Sequence, residues 1–160
     1  MDQVNKADID WSSTDDGLPP YKRKHLSGEL ADADIGCSLY QLAPGDRSWP
    51  YHFHTRNAEA MYVLEGSGRC RHPEGETEIA AGDFISFPPS EDGAHRLIND
   101  GERPLVYLAV STMAEPDITV YPDSSKFGVY VGSPPGGRDG RSLEGYYNIE
   151  DDVEYWTDEE

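Results

Sequence analysis

Apolar and polar residues alternate with a period of two through most of the middle of the chain, which is the spacing of a strand with one buried face. In the stretch Glu59-Ala-Met-Tyr-Val-Leu64, Glu59, Met61 and Val63 fall on one face, and Ala60, Tyr62 and Leu64 on the other. Further strands are predicted at Ile35–Leu42, Arg69–His72, Glu76–Ala80, Phe84–Phe87 and His95–Asn99, with weaker ones at Ile118–Tyr121 and Phe127–Val131. Leu105–Val110 is nearly all apolar and predicts a strand buried on both faces. Turn formers separate these segments every eight to twelve residues, as at Pro44-Gly45, Glu65-Gly66-Ser67-Gly68, Ala81-Gly82-Asp83 and Asn99-Asp100-Gly101. No segment holds a helical period over three turns. The pattern predicts an all-β chain: a small antiparallel double-sheet barrel of the jelly-roll kind, which closes or nearly closes its edges around an interior cavity.

The two ends differ from this middle. Residues 1–28 are polar, with turn formers at 16–20 and a short basic island, Tyr21-Lys-Arg-Lys-His25. That island reads either as an exposed edge or as a patch offering cations to an anionic ligand or partner. Residues 133–140 have the composition of a linker. The acidic end carries aromatics, and Tyr146, Tyr147 and Tyr155-Trp156 are expected to dock on the barrel or on a second subunit. The expected organisation is an N-terminal extension (1–28), a β-barrel domain (29–132) and an acidic C-terminal extension (133–160).

Charge and cysteine usage narrow the function classes. Thirteen Lys and Arg stand against 31 Asp and Glu, a formal net charge of -18. Nucleic acid and anionic membrane surfaces repel such a chain. The first residues lack the apolar core of a signal peptide, and no apolar run approaches the length of a membrane span. The expectation is a cytoplasmic protein whose two cysteines, Cys37 and Cys70, are reduced thiols, with Cys70 a small buried residue.

The candidate chemistry lies in Gly45-Asp-Arg-Ser-Trp-Pro-Tyr-His52-Phe-His54-Thr-Arg-Asn-Ala-Glu59 and, downstream, in Gly93-Ala-His95-Arg-Leu-Ile-Asn99. Three imidazoles and a carboxylate are suitable donors for one divalent ion. His52 and His54, two apart, point the same way on a strand. Glu59 is an odd offset from His54, so Thr55–Ala58 must be a turn or irregular stretch, with Glu59 opening the next strand. The same parity sets Tyr51 and Phe53 opposite the histidines. Met61, Val63 and Leu97 are expected to make an apolar wall around the ligands. His25 and His72 fall outside the pattern.

These residues resemble the first cupin motif, G-x5-H-x-H-x3,4-E-x6-G, with one extra residue between Gly45 and His52. The second motif, G-x5-P-x-G-x2-H-x3-N, is similar to Gly82-Asp-Phe-Ile-Ser-Phe-Pro88-Pro89-Ser-Glu-Asp-Gly93-Ala-His95-Arg-Leu-Ile-Asn99, with a longer loop between proline and histidine. The resemblance covers roughly residues 36–112. It implies the cupin double-stranded β-helix and makes His52, His54, Glu59 and His95 the metal ligands; Asn99 matches a motif position that is not normally a ligand. Further likeness, in Ala58–Gly66, Phe87-Pro-Pro and Tyr121-Pro-Asp-Ser, is to small single-domain prokaryotic cupins, some of which carry a sugar-phosphate isomerase label.

The resemblance implies a divalent metal (Fe, Mn, Zn, Ni or Co) and a small-molecule ligand or substrate. The function expected first is metal-dependent chemistry on a small polar metabolite, either isomerisation of a sugar or sugar phosphate, or oxygen-dependent cleavage. The alternative is a non-enzymatic metal and ligand-binding module. No catalytic acid or base is marked. Tyr40, Arg47, Trp49 and Tyr51 are candidates for the cavity mouth, and Arg47 and Arg56, which flank the ligand strand, are the cations expected to meet a phosphate. Exposed edge strands and the habit of small cupins point to a homodimer.

Overall fold

Period-two segments bounded by glycine and proline turns fold into strands throughout a computed structural model that describes residues 3–13, 21–29, 34–133 and 140–159. The turn expected at 16–20 and linker residues 134–139 lie outside the described residues. The strands are β1 (Ser12–Ser13), β2 (Tyr21–His25), β3 (Ile35–Leu42), β4 (Phe53–His54), β5 (Glu59–Glu65), β6 (Ser67–His72), β7 (Gly75–Ala80), β8 (Phe84–Phe87), β9 (Arg96–Ile98), β10 (Leu105–Thr112), β11 (Asp117–Tyr121), β12 (Lys126–Val131) and β13 (Leu143–Asn148). Single turns of 3-10 helix join some of them, and no α-helix occurs among the described residues. No helix there is long and apolar enough to cross a membrane.

Every strand pairing is antiparallel. One sheet has the order β1-β2-β3-β10-β5-β8. Two smaller sheets, β13-β12-β11-β4 and β7-β6-β9, face it and are joined to each other where His52 and His95 bridge. Neighbours in space are thus far apart in sequence, which is the topology of a double-stranded β-helix. The ends of the chain add strands: β1 and β2 extend the six-stranded sheet, and β13 extends the facing one.

The inward faces build one core. Tyr40, Leu42, Met61, Val63, Leu97, Leu105 and Tyr107 meet there, together with Cys70, Ile79 and Phe87. Burial raises the Cys70 thiol to about 11, so it packs as a small neutral residue. β10 departs from expectation. Leu105 and Tyr107 are fully buried, but Val106, Leu108 and Val110 are only half-buried. The strand sits between β3 and β5, and among the described residues only its Leu105 and Tyr107 face packs into the core.

Asn99 explains its motif position structurally. Fully buried, it donates from Nδ2 to the carbonyls of Leu42 and Arg103 and accepts the Gly101 amide at Oδ1. One side chain thereby satisfies three backbone groups, one at the end of β3 and two in the loop between β9 and β10.

Candidate metal centre

The four candidate donors arrive from three elements. His52 precedes β4 and exchanges both backbone hydrogen bonds with His95 on the neighbouring strand (2.9 and 3.3 Å). Directly opposed residues of an antiparallel pair project to the same face, and their rings stand 4.8 Å apart. His54 follows two residues on, its ring 5.2 Å from that of His52. The irregular stretch 55–58 then shifts the parity, and Glu59 opens β5 in the opposite sheet. Asn57 pins this stretch: buried, it donates to the Ala114 carbonyl and accepts from the Ala114 amide and the Thr112 hydroxyl.

Hydrogen bonds fix how each imidazole presents itself. Nδ1 of His52 lies 2.8 Å from the carbonyl of Pro50, and Nδ1 of His95 lies 2.9 Å from that of Gly93. A carbonyl only accepts, so the proton resides on Nδ1 in both rings and the Nε2 lone pair is free to act as a ligand. Nδ1 of His54 lies 2.6 Å from Oδ2 of Asp117, with the Thr119 hydroxyl at 3.1 Å. Phe87 stacks on His95 with ring centroids 3.7 Å apart. The device at His95 depends on Gly93, since a Cβ there would lie 2.0 Å from the Pro88 carbonyl oxygen.

The result is a concentration of electron pairs. Oε2 of Glu59 lies 3.3 Å from Nε2 of His95 and 3.5 Å from Nε2 of His54. Glu59 Oε2 and His95 Nε2 are buried without a hydrogen-bond partner. His52, His54 and Glu59 each bring one donor atom within 4.8 Å of the others. His95 lies outside that group of three and joins it through Glu59. Buried polar atoms with no partner are costly, and a divalent cation among them would offset that cost. The donor set therefore fits a metal ion.

Burial, together with the neighbouring His95 and His54, holds His52 well below the ordinary histidine range; burial lowers His95 as well, against the attraction of Glu59. Both rings are neutral near pH 7, as ligands must be. At His54 burial also acts downward, but the bond to Asp117 and the charges of Glu59 and Asp117 outweigh it, and the net shift is upward. Asp117 is the reciprocal case: burial raises its carboxyl, and the His54 contact and the Arg56 amide bring it below the usual range.

A cavity of about 270 Å³ opens in front of these groups. Its walls correct several expectations. Tyr40 and Trp49 line it; Arg47 and Tyr51 do not. Tyr51 packs under the guanidinium of Arg71, 3.9 Å from ring to charge, on the face opposite the histidines. Arg47 pairs with Ile98 and lies among the charges around Arg96. Arg56 contributes its backbone amide to Asp117 and not its guanidinium to the cavity. The cations in the lining are Arg23 and Arg141. Met61 reaches the cavity, but Val63 and Leu97 lie in the core behind it. Tyr121, Tyr130 and Tyr146 take the place of the expected apolar wall.

Sequence reasoning missed Asp117, Asn57 and Arg141. Asp117 is one of 31 acidic residues and carries no motif; only the pairing of β11 with β4 sets it behind His54. Tyr146 docks on the barrel and Tyr147 packs against Phe127, whereas Tyr155 and Trp156 contact each other and are 84% and 72% exposed.

Residues 38–111, the stretch that supplies all four donors, match the cupin domain family. This stretch is a cupin domain. A cupin-superfamily sugar phosphate isomerase from Silicibacter pomeroyi superposes with a TM-score of 0.79 over 94% of both chains, at 18% identity, which shows the shared fold. A protein from Acidithiobacillus ferrooxidans, named as a candidate sugar phosphate isomerase, is 29% identical, with a TM-score of 0.71 over 84% of this chain and 80% of that one. The glucose-6-phosphate isomerase of Thermococcus gammatolerans is 30% identical over 102 residues, covering 56% of this chain and 53% of that protein. The chain thus spans about half the length of this relative.

Proposed function

We propose that the cupin domain binds one divalent metal through His52, His54, Glu59 and His95 and isomerises a small phosphorylated sugar. The observation that carries the reading is the orientation of the donors. Three imidazoles have Nδ1 committed to Pro50, Asp117 and Gly93, which turns Nε2 toward the Glu59 carboxylate and the cavity. A bound cation would polarise a substrate carbonyl as a Lewis acid and ease proton transfer at the adjacent carbon.

The protein's own residues do the positioning. Glu59 and His95 hold the buried end of the cavity. Burial keeps the Tyr121 hydroxyl protonated at neutral pH, so it acts as a donor or acceptor toward substrate hydroxyls and not as an anion. Tyr121 stacks beside His52 at 6.0 Å, within reach of a ligand that meets the metal. Tyr21, Tyr40 and Trp49 form a mutually packed aromatic wall, the kind of surface that accepts the C–H face of a sugar. The likeness to the Acidithiobacillus and Thermococcus proteins supports sugar phosphates as the substrate class.

The test is turnover. Protein stripped by chelation and reloaded separately with Fe, Mn, Zn, Ni or Co is expected to interconvert an aldose phosphate, beginning with glucose 6-phosphate, with its ketose isomer, and to lose this activity on chelation. No isomerisation with any metal across a panel of aldose phosphates contradicts the reading. Oxygen uptake by the Fe(II) form with a small organic substrate would assign oxygen-dependent cleavage instead.

A further inference from the structure

The chain carries a net charge of -18, yet the cavity in front of the candidate metal site is lined by two arginines and, among the described residues, one carboxylate, Glu59. Besides Glu59, the charged side chains of this lining are the guanidinium of Arg23 and that of Arg141, the latter ion-paired to Glu144. Each guanidinium is held over a tyrosine ring that also lines the cavity: Arg23 is 5.7 Å from the centre of Tyr40, and Arg141 is 4.9 Å from that of Tyr130. Each is anchored through Nε, in Arg23 by donation to the Ser38 hydroxyl (3.0 Å) and in Arg141 by donation to the Ser133 carbonyl (2.9 Å). Glu144 accepts from Nη1 of Arg141 at 2.6 Å and fixes the plane of the fork. Neither arginine is left to sample rotamers freely, so little side-chain entropy remains to be lost on binding.

The two come from opposite walls. Arg23 belongs to β2 in the six-stranded sheet, and Arg141 immediately precedes β13 in the facing one. Between Arg141 and the metal end runs a line of hydroxyls: Tyr130 donates to Tyr146 at 3.0 Å, and the Tyr121 and Tyr130 hydroxyls are 3.4 Å apart. Arg141 and Tyr146 are on the exposed side of the cavity, Arg141 being 21% and Tyr146 58% exposed, whereas His95 is 1% exposed. An elongated ligand with one end on the metal would lay its hydroxyls along the tyrosines and bring its far end to the arginines.

We propose that Arg23 and Arg141 form a two-point anion subsite that takes the phosphate or carboxylate of a polyhydroxylated ligand. The inference rests on reading this cavity as the ligand site. It does not require that the reaction be isomerisation. Arg23 lies in the basic island of the sequence, and Arg141 lies beyond the matched cupin stretch, so the subsite is a property of this chain's extensions.

Isothermal titration of metal-loaded protein with glucose 6-phosphate, gluconate, inorganic phosphate and glucose tests it. Wild type is expected to bind one of the two anionic sugars at least about tenfold tighter than glucose. A preference for glucose 6-phosphate with competition by inorganic phosphate assigns a phosphate, and a preference for gluconate assigns a carboxylate. Arg23→Gln and Arg141→Gln should each weaken the preferred anion about 10- to 100-fold, leave glucose binding and metal content unchanged, and keep the wild-type β-structure by circular dichroism at the assay temperature; Arg141→Lys should recover part of the loss. Equal binding of charged and neutral sugars, binding of none of the four probes, or full anion affinity in both glutamine variants overturns the subsite. Anion binding that depends on both arginines without turnover supports the subsite and contradicts the isomerase reading. Sugar-phosphate turnover untouched by either substitution does the reverse.

Discussion

Asp117→Ala is expected to weaken divalent-metal binding about 10- to 100-fold while the barrel still folds. Asp117 does not itself line the cavity; it acts through His54. Its Oδ2 stands 2.6 Å from Nδ1 of that ring and its Oδ1 accepts the Arg56 amide, and the carboxylate itself is fully buried. Removing the carboxylate leaves the Thr119 hydroxyl, at 3.1 Å, as the remaining Nδ1 contact. A hydroxyl can donate as well as accept, so it no longer compels the proton onto Nδ1, and Nε2 is a ligand for only part of the time. The imidazole also loses the negative charge that raises its basicity. Competition titrations with a chromophoric chelator, run on wild type and variant, read this out. Equal affinities would show that Asp117 only packs behind the strand.

Leu97→Ala is expected to cost about 2–5 kcal/mol of stability, as for other fully buried leucines. For a chain of this size that corresponds to a fall of roughly 5–15 °C in melting temperature. Leu97 is fully buried in the main cluster, pairs across β9 and β6 with Cys70, and lies midway between His95 and Asn99. The alanine would leave a void under the strand that carries the histidine. His95 itself is held by the Gly93 carbonyl and by Phe87, so below the lowered transition the variant should retain the wild-type metal content. Thermal melting followed by circular dichroism checks the first half, and elemental analysis checks the second. A melting point within about 2 °C of wild type contradicts the packing argument.

Much of this architecture is visible in the chain because β-structure writes its period locally. The alternation from Glu59 to Leu64 places Met61 and Val63 in the core and leaves Tyr62 and Leu64 partly in solvent. The glycine and proline punctuation marks the hairpin of β6 and β7 and the turns around it. The odd offset from His54 to Glu59 forces an irregular stretch, and the structure has one at 55–58. What remained illegible depends on contacts between distant segments. Asp117 acquires its role only because β11 lies beside β4, and Asn57 because it meets Ala114 and Thr112 across the fold. Proximity in sequence favoured Arg47 and Arg56 as cavity cations, but side-chain parity and strand crossing decide that question. Arg23 and Arg141 reach the cavity from the two ends of the chain, more than a hundred residues apart, through edge pairings that no local pattern encodes. For β10, composition suggested two buried faces, but burial depends on whether a second layer covers the sheet, and a strand's own residues do not reveal that.

The central claim is that four side chains, one from each of positions 52, 54, 59 and 95, share one cation inside the barrel. Elemental analysis of wild type, His52→Ala and His95→Ala, purified in parallel with circular dichroism to confirm folded β-structure, tests it most directly. The expected result is about one divalent ion per wild-type chain and strongly reduced metal in both folded variants. The same metal content in all three proteins would contradict it.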